Sequence, residues 1–352
     1  MVPGPQRSPP GRPAMMTRLR PLGLTLLFAL IGAAVLTVVG FPAGALIGAA
    51  LAVAGAAAAR VAVEIPPRLR DLAFTVIGVS LGSGVDPDIG RHLATWSLSL
   101  GFLAVSVVAT LFAGAAVLRR MFGFSRETAL LATAPGTMSN VIALAIEGRG
   151  QMEPIMVLQV MRLLALVLLA PPMAALFGHA PAVPPARVPM ELAPLGALLA
   201  VAYAAGIVGQ RFRLPAACLL AGLVLSSLVH GAGLVTGAMP QWALFLGFTL
   251  TGAVLGTRLT AVGLGAIVRM ARAGGVLIVV TLATSFVFAL ATSLATHLPL
   301  AEVWIAFAPG GVEAMAAVGL SLGFDPAYIA LHHFARIVTL LIVLPIAARR
   351  AA

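Results

Sequence analysis

Arg162 and Arg336 are the residues most able to do chemistry, because each lies deep inside a long apolar run, 154–177 and 327–348 respectively. An arginine about 14 Å along a helix buried in hydrocarbon is costly, and its default reading is functional. The competing reading is structural: a guanidinium that holds backbone carbonyls or pairs with a buried carboxylate. Near Arg336 the chain offers Glu313, Asp325, His332 and His333; near Arg162 it offers Ser139, Asn140, Gln151 and Gln159. On a helix His332 and His333 share a face with Arg336, at four and three residues. Two interrupted stretches precede the arginines, with Pro135, Gly136 and Thr137 in one and Pro309, Gly310 and Gly311 in the other.

That chemistry suits the binding of a small anion. Glu313 follows a Pro-Gly-Gly turn, where a half-helix begins and its N–H groups point at negative charge. It can equally cap that half-helix and pair with Arg336. The expected substrate-binding set is Pro135, Gly136, Thr137, Asn140, Gln159, Arg162, Pro309, Gly310, Gly311, Glu313, His333 and Arg336. Proton coupling would fall to Glu313, Asp325, His332 and His333. No catalytic group, metal site or cofactor is expected. His332 and His333 are adjacent and point about 100° apart on a helix, so they cannot chelate one metal side by side. No spacing typical of a copper, iron or zinc site occurs, and no nucleophile elbow, P-loop or dinucleotide fingerprint.

The elements that must position these residues are membrane helices. Of 352 residues, 61% are hydrophobic and 9% charged. Apolar runs of helix length recur from end to end, several reaching the roughly 20 residues that a bilayer span needs. A polytopic α-helical membrane protein fits this pattern; an outer-membrane barrel would alternate in short strands. The net charge of +11 comes from arginines in short loops, as the positive-inside rule describes, so no direct nucleic-acid binding is expected. Cys218 is a lone cysteine within an apolar run, which allows no intramolecular disulfide.

Sliding the sequence against itself by 174 residues reveals a duplication. "LAFTVIGVSLG" at 72–82 aligns with "LGFTLTGAVLG" at 246–256, and "ATAPGTMSNVIAL" at 132–144 with "AFAPGGVEAMAAV" at 306–318. Arg162 meets Arg336 at the same offset. The reading is a disordered Arg/Pro-rich cytoplasmic lead at 1–20, a membrane repeat at 21–178, a Pro-rich linker at 179–190 and a second repeat at 191–350, in one membrane domain. Six crossings per repeat would put Arg211, Arg213, Arg258, Arg269 and Arg272 outside with Arg91 and Arg149. Five crossings leave only Arg91 and Arg187 outside, which favours inverted repeats. The expected fold is therefore all-α, with two inverted repeats of about five crossing helices plus one interrupted or re-entrant helical hairpin each. The pairs Gly78/Gly82 and Gly252/Gly256 read as close helix packing.

The duplicated "APG" hairpin, followed by "LQVMR" or "HHFAR", resembles the AbrB membrane family, which is also labelled an ammonia monooxygenase. The second copy carries Pro309, Gly310, Gly311, Asp325 and Arg336, with His333 where Gln is usual. The first carries Pro135, Gly136, Gln159 and Arg162, with Thr137 for the second Gly and Gln151 for the Asp. The resemblance implies a multi-pass protein of the bacterial inner membrane, associated with regulation of gene expression. With the bottom-up reading it points to a secondary transporter or solute-binding protein for a small anionic solute. The alternative is a membrane-embedded sensor acting indirectly on gene expression; a monooxygenase ranks last. The expected partners are the lipid bilayer and the solute, with both termini cytoplasmic and a homo-oligomer left open.

Overall fold

The computed structural model describes residues 13–84, 89–134, 150–177, 188–212 and 214–349. In the first copy they form α1 (Pro13–Val38), α2 (Gly44–Ala58), α3 (Pro67–Gly82), α4 (Ile89–Phe122), α5 (Arg126–Thr133) and α6 (Met152–Leu176). In the second they form α7 (Leu192–Arg211), α8 (Ala217–Gly231), α9 (Gln241–Thr257), α10 (Leu264–Arg269), α11 (Ala271–Thr296), α12 (Leu300–Phe307), α13 (Val312–Ser321) and α14 (Pro326–Arg349). Among the described residues the only strand-like pairing is an isolated bridge between Pro189 and Ala238. The helix α1 begins at Pro13, ahead of the apolar run that starts near residue 21. The linker expected at 179–190 falls mostly outside the described residues.

Seven helices (α1, α4, α6, α7, α9, α11 and α14) are long and apolar enough to cross a bilayer, and α2 and α8 are shorter apolar helices. The chain is an all-α membrane protein. Helix contacts come in matched pairs across the two copies. The helix α1 packs on α2 as α7 does on α8; α2 packs on α9 as α8 does on α3; α4 packs on α5 as α11 does on α12; and α4 packs on α14 as α11 does on α6. The helices accordingly fall into two groups. One contains α1–α3 with α7–α9, the other α4–α6 with α11–α14, and the groups meet where α13 touches α3 and α9 and where α14 touches α3.

Glycines set the closest approaches in the first group. A Cβ at Gly78 would stand 2.1 Å from the Leu219 carbonyl oxygen, and one at Gly82 2.4 Å from that of Leu223. Their counterparts repeat this, Gly252 at 2.2 Å from the Leu46 carbonyl oxygen and Gly256 at 2.7 Å from that of Ala50. Residue numbers rise together in both pairs, so α3 runs parallel to α8 and α9 parallel to α2. In contrast, Gly32 lies on Gly48 and Gly44 on Leu36, so α1 and α2 are antiparallel. Small-residue contacts of this kind supply the dispersion energy that holds helices together where lipid is as apolar as leucine.

Gly78→Ala and Gly252→Ala push a methyl group into backbone that cannot swing away, at a cost of about 1–3 kcal/mol or more. Thermal unfolding in detergent should report a clear loss for both. Gly55→Ala and Gly101→Ala, whose surroundings are open within 4 Å, should stay at or above wild type.

Candidate functional site

Proline chemistry breaks the helices on which the site is built. A helix carbonyl normally accepts a hydrogen bond from the N–H four residues on. Pro135 and Pro309 have no N–H, so the carbonyls of Leu131 and Ile305 lose that partner. The residue before each proline is driven to extended backbone: Ala134 has φ −56° and ψ 116°, Ala308 φ −57° and ψ 130°. The helices α5 and α12, of eight residues each, therefore stop after about two turns, inside the protein.

In the second copy both limbs of the break are described. The Asp325 N–H donates to the Glu302 carboxyl at 2.9 Å, which sets the start of α12 beside the start of α14. Arg336, ten residues further along α14 and so about 15 Å deeper, donates to the carbonyls of Ala308 and Gly310. The helix α13 then returns, with Gly319 packed on Ile329 and its end only a few residues before Asp325. The segment enters and leaves at the same end of α14. It is a re-entrant hairpin, the first of the two forms that the sequence allows, and not a broken crossing helix.

The first copy repeats the inward limb. The Gln151 N–H donates to Thr128 Oγ1 at 3.0 Å, and Arg162 donates to the carbonyls of Ala132, Thr133 and Ala134. Gln159 completes the set by donating from Nε2 to the Leu131 carbonyl at 2.8 Å, the one that Pro135 leaves bare. Pro135, Gly136, Thr137 and Asn140 lie outside the described residues. So both arginines hold the carbonyl ends of half-helices, as the structural reading of the sequence allows.

Their chemistry is not used up. Arg336 is fully buried, and its Nε has no partner among the described residues. His333, the counterpart of Gln159, is also fully buried, and neither of its ring nitrogens has a partner among the described residues. Arg336 lies within Coulombic reach of both Arg162 and Glu313. Glu313 is half-buried in the first turn of α13, at a helix start with no side-chain cap, and also acts on Arg258 at the end of α9. The site thus collects Arg162, Arg336, Arg258, Glu313 and His333 where the two helix groups meet.

The remaining expected residues have different neighbours. Asp325 caps α14, its Oδ1 accepting from the Ala327 and Tyr328 N–H groups at 2.8 and 3.2 Å. His332 points away from His333 into a buried chain that ties α4 to α14. Its Nδ1 bonds the Tyr328 carbonyl at 2.8 Å, so Nδ1 carries the proton and Nε2 accepts from Ser99 Oγ, also at 2.8 Å. Ser99 Oγ then accepts from the Tyr328 hydroxyl at 2.6 Å.

Sequence reasoning missed Ser99, Tyr328 and Glu302. Glu302 stands in the first turn of α12, outside the seven long spans. Burial pushes its carboxyl up to about 7; the Asp325 N–H bond opposes that rise and the Asp325 carboxylate reinforces it. Its alignment with Thr128 at the repeat offset was the available signal.

Residues 46–352 match the family described as "Transition state regulatory protein AbrB". The chain belongs to the AbrB family. A relative from Bacillus subtilis (strain 168), "Uncharacterized protein YhjN", is 25% identical over 288 residues, covering 77% of this chain and 75% of that protein. The AbrB-family match takes in the second-copy hairpin, the described limb of its first-copy counterpart, both arginines and every glycine contact described above except Gly32 and Gly44.

Gln159→Ala should leave the Leu131 carbonyl bare in a buried site and cost about 1–3 kcal/mol. His333→Gln should do the reverse. It recreates the first copy's amide opposite the Ile305 carbonyl and should be neutral or gain up to about 1 kcal/mol. Thermal unfolding of both variants in one detergent checks the pair.

Proposed function

We propose that this AbrB-family chain is a secondary transporter or solute-binding protein of the bacterial inner membrane, taking a small anionic solute at the meeting point of its two hairpins. One observation carries the reading: two buried guanidiniums lie within Coulombic reach, next to an Arg336 Nε and a His333 ring that have no hydrogen-bond partner among the described residues. Like charges out of water repel with little screening, and buried donors without acceptors are costly. An anion between them relieves both at once.

Repeat inversion supports the reading. Five crossing helices and one re-entrant hairpin per copy would put successive copies in opposite orientations, and the parallel run of α3 with α8 is what that arrangement requires. Discontinuous helices meeting near the midplane are the usual parts of alternating access. With both termini cytoplasmic, the loop arginines fall mostly on the cytoplasmic side. The bilayer and the solute are the partners of this reading, with no direct contact to nucleic acid, and no enzymatic activity is proposed. A second reading is a membrane-embedded sensor that acts indirectly on gene expression; the family's description as a regulatory protein favours it.

Purified protein screened against small carboxylates, phosphate and sulfate tests the site. An anion at 100 times its dissociation constant should add about 2.7 kcal/mol of stability. Wild type should be stabilised, whereas His333→Gln, folded and equally stable, should not respond. Uptake of the same anion into proteoliposomes then separates transporter from sensor. If no anion moves wild type, the arginines serve only the carbonyls and the solute reading falls.

A further inference from the structure

The two copies share their framework but differ in kind where the hairpins join the long helices. Taken pair by pair at the repeat offset, Thr128 corresponds to Glu302, Gln151 to Asp325, Pro154 to Tyr328, Leu158 to His332 and Gln159 to His333. Every first-copy member of these pairs is unable to titrate, and every second-copy member is able to. The backbone contact at the joint is nevertheless the same in both copies: an N–H at the start of the long helix donates to a side-chain oxygen in the first turn of the half-helix. In the first copy that oxygen belongs to a hydroxyl, in the second to a carboxyl.

We propose that the Glu302–Asp325 joint is the binding site of a proton, carried by Glu302, and that this proton is the coupling ion of the solute site. The proposal rests on the transport reading for its coupling and on the joint's own geometry for its site. Asp325 Oδ1 already takes two backbone N–H groups at the start of α14, where a helix N-terminus favours negative charge. Glu302, beside it and largely out of solvent, has one neutral N–H as its described hydrogen-bond donor and a neighbouring carboxylate that repels its charge. Two carboxyl groups in such different surroundings divide the roles, Asp325 capping the helix and Glu302 carrying the proton.

The group that acts on Glu302 is Asp325, at the start of α14, and Glu302 in turn acts on the Tyr328 hydroxyl of the same helix. Of the other helices packed on α12, α6 and α13 carry Arg162 and Glu313 near the midplane end, and α11 ends at the exposed His297. When Glu302 takes up a proton the joint is neutral at that position, and α12 stays seated on α14. When the proton leaves, two adjacent carboxylates push the hairpin's outer end away from α14. The Thr128–Gln151 joint has no such response. A proton therefore moves one hairpin and leaves the other as a fixed reference, and the moving one carries Gly310, Gly311 and Glu313 at the solute site.

The sign follows from a carboxyl whose midpoint rises on folding. Its contribution is fully present below about pH 4.5 and is lost as pH rises through about 7. Wild type in detergent should thus lose several degrees of thermal stability between about pH 5 and about pH 8. Glu302→Gln should flatten that step. Asp325→Asn, which keeps a helix cap but removes the charge, should move the step to lower pH. Should Glu302→Gln fail to fold, the shift in Asp325→Asn still decides.

A Glu302→Gln protein that follows the wild-type profile, or an Asp325→Asn protein whose step stays in place, overturns the proton site. This readout needs no solute, so its failure leaves the anion site standing, and failure of the anion screen leaves the proton site standing. Where an anion binds, its affinity in wild type should change across the same pH window and be flat in Glu302→Gln. A pH-dependent affinity that survives the substitution overturns the coupling.

Discussion

Two helices end in the buried interior of a membrane protein, with Ala134 and Ala308 fully out of reach of bulk solvent, so their last carbonyls need donors from the protein itself. An unpaired backbone group in such surroundings costs several kcal/mol, so the fold depends on finding donors for each end. Arg162 and Arg336 supply them, aided in the first copy by Gln159. From this the other placements follow. Each arginine must lie on a long helix parallel to the half-helix it serves, which fixes the register of α6 on α5 and of α14 on α12. The joints at Thr128–Gln151 and Glu302–Asp325 fix the same register from the opposite end. A hairpin held at its base and its tip in this way moves as a unit with its long helix, or parts from it at one of the two points.

The glycine contacts explain why the rest of the chain can serve as a frame. Gly78, Gly82, Gly252 and Gly256 bring α3 onto α8 and α9 onto α2 with backbone against side chain or backbone. Packing this close leaves few ways for the group formed by α1–α3 and α7–α9 to rearrange internally. The hairpin group touches it through fewer contacts, at α13 and α14. Arg258 belongs to the frame and Glu313 to the hairpin group, and they act on each other across that boundary. A solute site at such a boundary can be exposed by sliding one group on the other without unpacking either core.

Much of this was legible in the sequence because the physics is local. A proline within an apolar run announces a lost hydrogen bond, a GxxxG spacing announces close packing, and an arginine deep in such a run announces a partner. The repeat offset placed both copies of each. What stayed out of reach was which partner each group takes. Arg336 serves carbonyls and keeps an Nε with no partner among the described residues; Asp325 caps a helix; His332 turns from the site to bond Ser99 on α4, more than two hundred residues away. Glu302 went unread because a carboxylate near the start of an apolar run looks like an ordinary loop-side charge until Asp325 is brought beside it.

Under the proposed solute reading, the electrostatics of the site favour an anion even after the arginines have been used as caps. A helix C-terminus carries about −0.5 of an elementary charge and an N-terminus about +0.5. The ends of α5 and α12 together therefore offset about one of the two guanidinium charges, and the start of α13 adds about half a charge back. Arg258 and Glu313 contribute one charge of each sign and cancel to first order. The balance is about +1.5, gathered where solvent screening is weak. A cation would meet that field unaided, since Glu313 already has two arginines within reach. An anion would meet two guanidiniums, a helix start and an imidazole able to donate, and this is why capping and binding by the same arginines are compatible rather than competing roles.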